Sequence, residues 1–117
     1  ILCKCFMMFT FIEHPNFTKQ IQSLFSDEEY REFQADLAAK PESGDVIPGL
    51  AGLRKVRWSA KGKGKRGGAR IIYLLIPEPG VVYLFYAYTK GDISDMKPDQ
   101  KKRLAGLVEE IRKEHQK

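Results

Sequence analysis

The sequence is short of the residues that most hydrolytic chemistry relies on. It holds two histidines, His14 near one end and His115 near the other. Nothing in the sequence brings them together, which argues against a two-histidine ribonuclease. Its two cysteines, Cys3 and Cys5, sit close together at the start, and no second Cys or His cluster completes the ~4 ligands of a zinc site. No strand-turn-helix nucleophile signature of a Ser-His-Asp hydrolase is present. No apolar run approaches the ~20 residues that cross a bilayer. The oily opening ILCKCFMMF is too short for a signal peptide and lacks a small-residue cleavage site. A cytoplasmic protein with no membrane partner is expected. The most telling absence is acidic: residues 46–77 carry no Asp or Glu, so a carboxylate-held magnesium at their centre is disfavoured.

Against that gap stands a block of positive charge. Arg54, Lys55, Arg57, Lys61, Lys63, Lys65, Arg66 and Arg70 give residues 46–77 a net charge of +8, whereas residues 1–45 are net −4 and residues 78–117 net +1. Such a block repels itself and lowers the stability of a fold. It usually persists because a polyanion binds there, and phosphate is the expected ligand. The plainer alternative is a solvated basic loop without a partner. Within the block, SAKGKGKRGG (59–68) holds four glycines and four basic residues. Glycine keeps that backbone mobile and able to mould around a phosphodiester chain. No Ser or Thr follows a Gly-Lys, so it is not a nucleotide-binding P-loop.

At 117 residues, 43% hydrophobic and 30% charged, the chain suits one domain with one modest core. Met7-Met8 suggests a natural start, so residues 1–7 read as an upstream or artificially added extension and residues 8–117 as the domain. Residues 8–13 read as a strand that stops before His14-Pro15. Pro15 then opens a helix with Phe17, Ile21, Leu24 and Phe25 as its apolar stripe. Ser26-Asp27-Glu28-Glu29 is a capping-box start to a second helix, with Tyr30, Phe33 and Leu37 buried and Lys40-Pro41 ending it. Residues 41–52 form a loop or short edge strand. In the strand 53–58, alternation sends Val56 and Trp58 one way and Lys55 and Arg57 the other. ARIIYLLI (69–76) is a central strand, 77–80 a turn, and VVYLFYAYTK (81–90) the next antiparallel strand, with Tyr86, Tyr88 and Lys90 on one face. Pro98 starts a last helix with Leu104, Leu107, Val108 and Ile111 inward. The fold class is α+β, with helices packed on an antiparallel sheet.

The chemistry left is that of Arg, Lys and Tyr, which bind phosphate and stabilise a pentavalent transition state. They are poor general bases at neutral pH unless shifted downward by neighbouring cations. The run LRKVRWSAKGKGKRGGARIIYLLIPEPGVVYLFYAYTKGDISDM, with the upstream SDEEYREFQ and GDVIPGLAGLRK, resembles toxins of the RelE/ParE superfamily of type II toxin–antitoxin pairs, most of all the HigB branch. The resemblance spans residues ~8–115. It implies a microbial-ribonuclease-like fold with an N-terminal helix pair and a C-terminal helix. It also implies cleavage of mRNA in the ribosomal A site, with no metal or other cofactor.

Residue by residue, Arg70 matches the family arginine on the scissile phosphate, Lys55 and Arg57 the basic pair on the preceding strand, and Lys90 the basic residue ending the last strand. The tyrosine that some relatives carry further on is missing from 92–97, which leaves Tyr88 as a substitute. The implied reaction is attack by the ribose 2′-OH to give a 2′,3′-cyclic phosphate and a free 5′-OH. In it Arg70 steadies the phosphorane, Arg57 adds potential, Lys90 protonates the leaving group, and Lys55 or Tyr88 takes the proton. Arg54, Lys61, Lys63, Lys65 and Arg66 would grip RNA or ribosome backbone, some only through nonspecific electrostatics. The implied partners are mRNA, the ribosome and an antitoxin of helix-turn-helix type from the same operon, through which alone the chain would meet operator DNA. The alternative readings are a ParE-like gyrase poison or a non-catalytic RNA-binding module of the same fold.

Overall fold

The computed structural model describes residues 3–6, 9–59, 68–89 and 97–115. In chain order these form β1 (Cys3–Phe6), β2 (Phe9–Glu13), α1 (Pro15–Leu24), α2 (Asp27–Ala39), β3 (Asp45–Val46), β4 (Arg54–Trp58), β5 (Ala69–Ile76), β6 (Val81–Thr89) and α3 (Pro98–His115).

Local chemistry sets the helix ends. His14 is extended, and its imidazole accepts the Asn16 N–H at 3.1 Å, while Pro15 opens α1 where a missing N–H costs nothing. Ser26 and Glu29 close the capping box: the Ser26 hydroxyl accepts the Glu29 N–H at 3.2 Å, and Glu29 Oε1 accepts the Ser26 N–H at 2.8 Å. The acidic first turn of α2 meets the positive end of the helix dipole.

The sheet runs β1-β2-β6-β5-β4-β3. All neighbours are antiparallel except β2 and β6, which run parallel with Thr10 opposite Val81. The sheet is thus mostly antiparallel, as expected from the sequence, with one parallel contact. The chain leaves β2 through both N-terminal helices and re-enters at the far edge. It returns by antiparallel steps, so β6 reaches β2 with no hairpin to dictate direction. At the other end of the order, residues 3–6 pair antiparallel with β2, Cys3 opposite Ile12 and Phe6 opposite Phe9.

Two apolar layers flank the sheet. On one face, Phe17, Ile21, Phe33 and Leu37 from α1 and α2 bury Ile71, Tyr73 and Leu84. On the other, Leu104, Val108 and Ile111 from α3 bury Ile72, Leu74 and Phe85. β5 is therefore covered on both sides, and Arg70 alone among its eight residues is not fully buried. The β5–β6 register slips between Ile72 and Tyr73: Ile72 faces Tyr86 but Tyr73 faces Leu84, so Phe85 is an extra residue in β6. Such a bulge reverses the alternation beyond it. Tyr83 and Phe85 before it, and Tyr86 and Tyr88 after it, all turn toward the α3 layer.

A buried carboxylate ties the first layer together. Glu13, at the end of β2 and 3% exposed, accepts from Thr18 Oγ1 and from the Tyr30 hydroxyl, each at 2.6 Å. Burial first, then the hydrogen bond and charge of Glu13, hold the Tyr30 hydroxyl far above the ordinary tyrosine range. The unfolded chain releases that proton near pH ~10 and the fold does not, so stability contributed below ~10 is lost as pH rises above it. Urea unfolding between about pH 9 and about pH 11 should show a steeper loss in the wild type than in Tyr30→Phe. Parallel curves for the two proteins would show that Tyr30 is not held protonated by the fold.

Candidate nucleic-acid interface

β4 separates its side chains by function. Val56 and Trp58 pack on the α1/α2 layer, while Lys55 and Arg57 stay exposed on the opposite face. Strand pairing then assembles a row across three strands. Arg57 lies opposite Arg70, and Arg70 opposite Tyr88; one step along, Lys55 lies opposite Ile72 and Ile72 opposite Tyr86. Directly opposed residues hold their Cβ atoms about 4.5–5.5 Å apart on one face, and like charges so placed repel. Among the described residues no carboxylate forms an ion pair with Lys55, Arg57 or Arg70; Asp45 lies opposite Lys55, and no carboxylate lies opposite Arg57 or Arg70 in the strand register. Tyr88, by contrast, is 9% exposed and largely enclosed by the α3 layer.

The edge beside this row is open. β3 pairs only with Arg54 and Lys55, leaving the outer edge of Val56 to Trp58 without a strand. A cleft of about 630 Å³ occupies that place. Lys55, Arg57 and Arg70 line it from β4 and β5, Asp45 from β3, Lys40 and Ser43 from the loop after α2, and Asp36 and Trp58 from a further side. Trp58 Nε1 donates to Asp36 Oδ2 at 2.9 Å, and the indole meets Phe25 and Phe33 edge-on at 5.1 and 5.6 Å.

The loop wall is pinned from below. The Tyr73 hydroxyl accepts the Gly44 N–H at 2.9 Å and donates to the Pro41 carbonyl at 2.8 Å. A Cβ at position 44 would stand 2.8 Å from the Tyr73 ring and hydroxyl, so the close approach needs glycine. Burial pushes the Tyr73 hydroxyl up, against the opposing pull of the Gly44 hydrogen bond and the Arg54 charge.

The sequence-predicted residues thus fall into three groups. Lys55, Arg57, Arg70 and Tyr88 share one face of the sheet. Arg54 points to the other face, where its Nη1 donates to the Gly44 carbonyl at 2.8 Å and the Glu42 carbonyl at 3.2 Å. Lys61, Lys63, Lys65, Arg66 and Lys90 lie outside the described residues. Neither histidine lines the cleft: His14 caps α1 beside Phe85 and Tyr86, and His115 Nε2 is hydrogen-bonded to the Tyr83 hydroxyl at 2.9 Å. Sequence reasoning missed Asp36, Lys40, Ser43 and Asp45, which read there as helix surface, helix end and loop. No local signal marked Asp36, which is exposed on α2 and meets Trp58 only through tertiary packing.

Two guanidinium groups facing one another can hold a phosphodiester between them, since each offers a planar fork of donors to phosphate oxygens. An imidazole general base is absent from the cleft lining. No known family model matches the chain. Its fold is similar to that of a solved structure, the E. coli toxin RelE in the free state, carrying two arginine-to-alanine substitutions. The TM-score is 0.53 at 16% identity, covering 84% of this chain and 94% of that one. No described helix is long and apolar enough to cross a membrane.

Removing one of the facing charges should help the fold. Arg57→Gln is expected to stabilise by about 0.2–1 kcal/mol in low salt. The gain should shrink as salt rises toward ~1 M, where the screening length falls to ~3 Å. Urea titrations at two ionic strengths measure both effects, and a net destabilisation at low salt would refute mutual repulsion of Arg57 and Arg70.

Proposed function

We propose that the chain is the toxin of a type II toxin–antitoxin pair of the RelE/ParE superfamily, nearest the HigB branch. In this reading it is a cytoplasmic endoribonuclease that cuts mRNA in the ribosomal A site without a metal cofactor. The observation that carries the proposal is the facing pair Arg57 and Arg70, the latter the one incompletely buried position of an otherwise enclosed strand. A fold has no use for two unrelieved like charges at that spot, whereas a phosphodiester binds there and becomes more strongly held as its charge grows in the transition state. The similarity of fold to a RelE toxin supports the same reading.

The reaction proposed is attack of the ribose 2′-OH on the adjacent phosphorus. Arg70 and Arg57 hold the non-bridging oxygens and stabilise the dianionic phosphorane. Lys55 acting as the neutral amine, or Tyr88 acting as the phenolate, accepts the 2′-OH proton, and the Lys90 ammonium protonates the departing 5′-oxygen. Atoms balance as a 2′,3′-cyclic phosphate and a free 5′-OH. Lys61, Lys63, Lys65 and Arg66 hold messenger or ribosomal backbone. Arg54 supports the cleft by donating to the Glu42 and Gly44 carbonyls. With no imidazole in the cleft, the ribosome is the natural source of substrate orientation, which lowers the barrier by pre-paid alignment. The proposed partner is a helix-turn-helix antitoxin from the same operon, through which the pair reaches operator DNA.

Translating ribosomes on a defined message should be cut within A-site codons, leaving 2′,3′-cyclic phosphate ends. Arg70→Ala should lower the rate by at least ~10²-fold, the usual loss on removing one transition-state charge partner. Purified RNA alone should be cut far more slowly. Intact message with the wild-type protein, together with lost gyrase supercoiling, would replace this reading with that of a gyrase poison.

A further inference from the structure

One side of the cleft is unlike the rest. Two carboxylates line a cleft that otherwise gathers Lys40, Lys55, Arg57 and Arg70: Asp45 faces Lys55 across the β3–β4 pair, whereas Asp36 stands beside Trp58. A negative charge there weakens the hold on any phosphate bound to the arginines. If Asp36 served only to fix Trp58, a neutral acceptor would do so without that penalty. Its Oδ2 takes the indole N–H, while its second oxygen has no partner among the described residues. Trp58 is half-buried against Phe25 and Phe33 and bonded to Asp36, and the rest of its ring lines the cleft wall.

We infer that Asp36 and Trp58 form a nucleobase-reading subsite of the cleft, one that accepts bases bearing an exocyclic amino group and rejects uracil. The inference rests on the RNA-cleavage reading above and adds to it a basis for nucleotide selection. A base whose phosphate lies on Arg57 and Arg70 reaches round the open edge of β4 and stacks on the part of the Trp58 ring that lines the cleft, as bases do on aromatic rings in single-strand-binding grooves. The free Asp36 oxygen is an acceptor only. It receives the amino N–H of adenine N6, cytosine N4 or guanine N2. Uracil has no amino group, and its N3–H lies between two carbonyl oxygens that repel a carboxylate.

Trp58 is the only tryptophan in the chain, so intrinsic fluorescence reports on the subsite without any need for catalysis. The wild-type protein is titrated with short 2′-O-methyl oligoadenylate, oligocytidylate and oligouridylate, which cannot be cleaved, and anisotropy of end-labelled oligomers is followed in parallel. Adenylate and cytidylate should quench Trp58 at about tenfold lower concentration than uridylate, the discrimination of one charge-assisted hydrogen bond. Asp36→Asn should narrow the gap to about twofold, because its amide can also donate to the uracil O4. By anisotropy, Trp58→Phe should keep the preference and Trp58→Ala should lose it. Equal quenching by all three oligomers, binding without quenching, or no binding of any of them would overturn the subsite. Base-selective quenching in a protein that leaves ribosome-bound message intact would instead overturn the nuclease reading and leave the subsite standing.

Discussion

Burial of β5 on both faces is the constraint from which the remaining architecture follows. Seven of its eight residues are buried, and neither helix layer alone could enclose them. The N-terminal hairpin of helices covers Ile71 and Tyr73, and the C-terminal helix covers Ile72 and Leu74, so opposite ends of the chain must both dock on the same strand. An apolar strand of this kind has little facial pattern to fix its register. Arg70 supplies it: a slip by one residue would drive a guanidinium toward the α1/α2 core, where an unpaired charge is very costly. The residue that pins the strand is the one exposed to the cleft, and stability and site placement share one cause.

Polar ends of aromatic side chains join the layers at the points where apolar packing cannot specify geometry. Tyr30 reaches Glu13, Tyr73 reaches Pro41 and Gly44, Trp58 reaches Asp36, and Tyr83 reaches His115. Tyr73 is buried and the other three are half-buried, and each polar tip finds a partner, as enclosed Tyr and Trp require. Two of the four, Tyr73 and Trp58, hold walls of the cleft. The cleft itself runs against the logic of the rest of the fold, because Arg57 and Arg70 face one another with no described carboxylate between them. Sites that break the local rules are where function is expected, the cost being met by a well-packed remainder. Here that remainder is two layers on one sheet.

The helix starts at Pro15 and at the Ser26–Glu29 capping box, the alternation that exposes Lys55 and Arg57 in β4, and the apolar stripe of α3 were all legible in the linear order of residues. Each depends on groups within about four positions of one another, a range over which helical and extended geometry are regular. The basic block, too, was plain from composition alone. The parallel pairing of β2 with β6, the extra residue at Phe85, and the meeting of Asp36, Lys40 and Ser43 with Arg57 and Arg70 were not. The hydroxyl of Tyr73 was likewise invisible, since within ARIIYLLI it reads as one more apolar position. Strand partners are chosen by side-chain packing against residues far away in sequence, so no local propensity encodes them. Residue types and their periodicity therefore announced an α+β domain with a concentrated basic block, whereas the identity of the cleft's other walls came from a register that exists only once the strands have found each other.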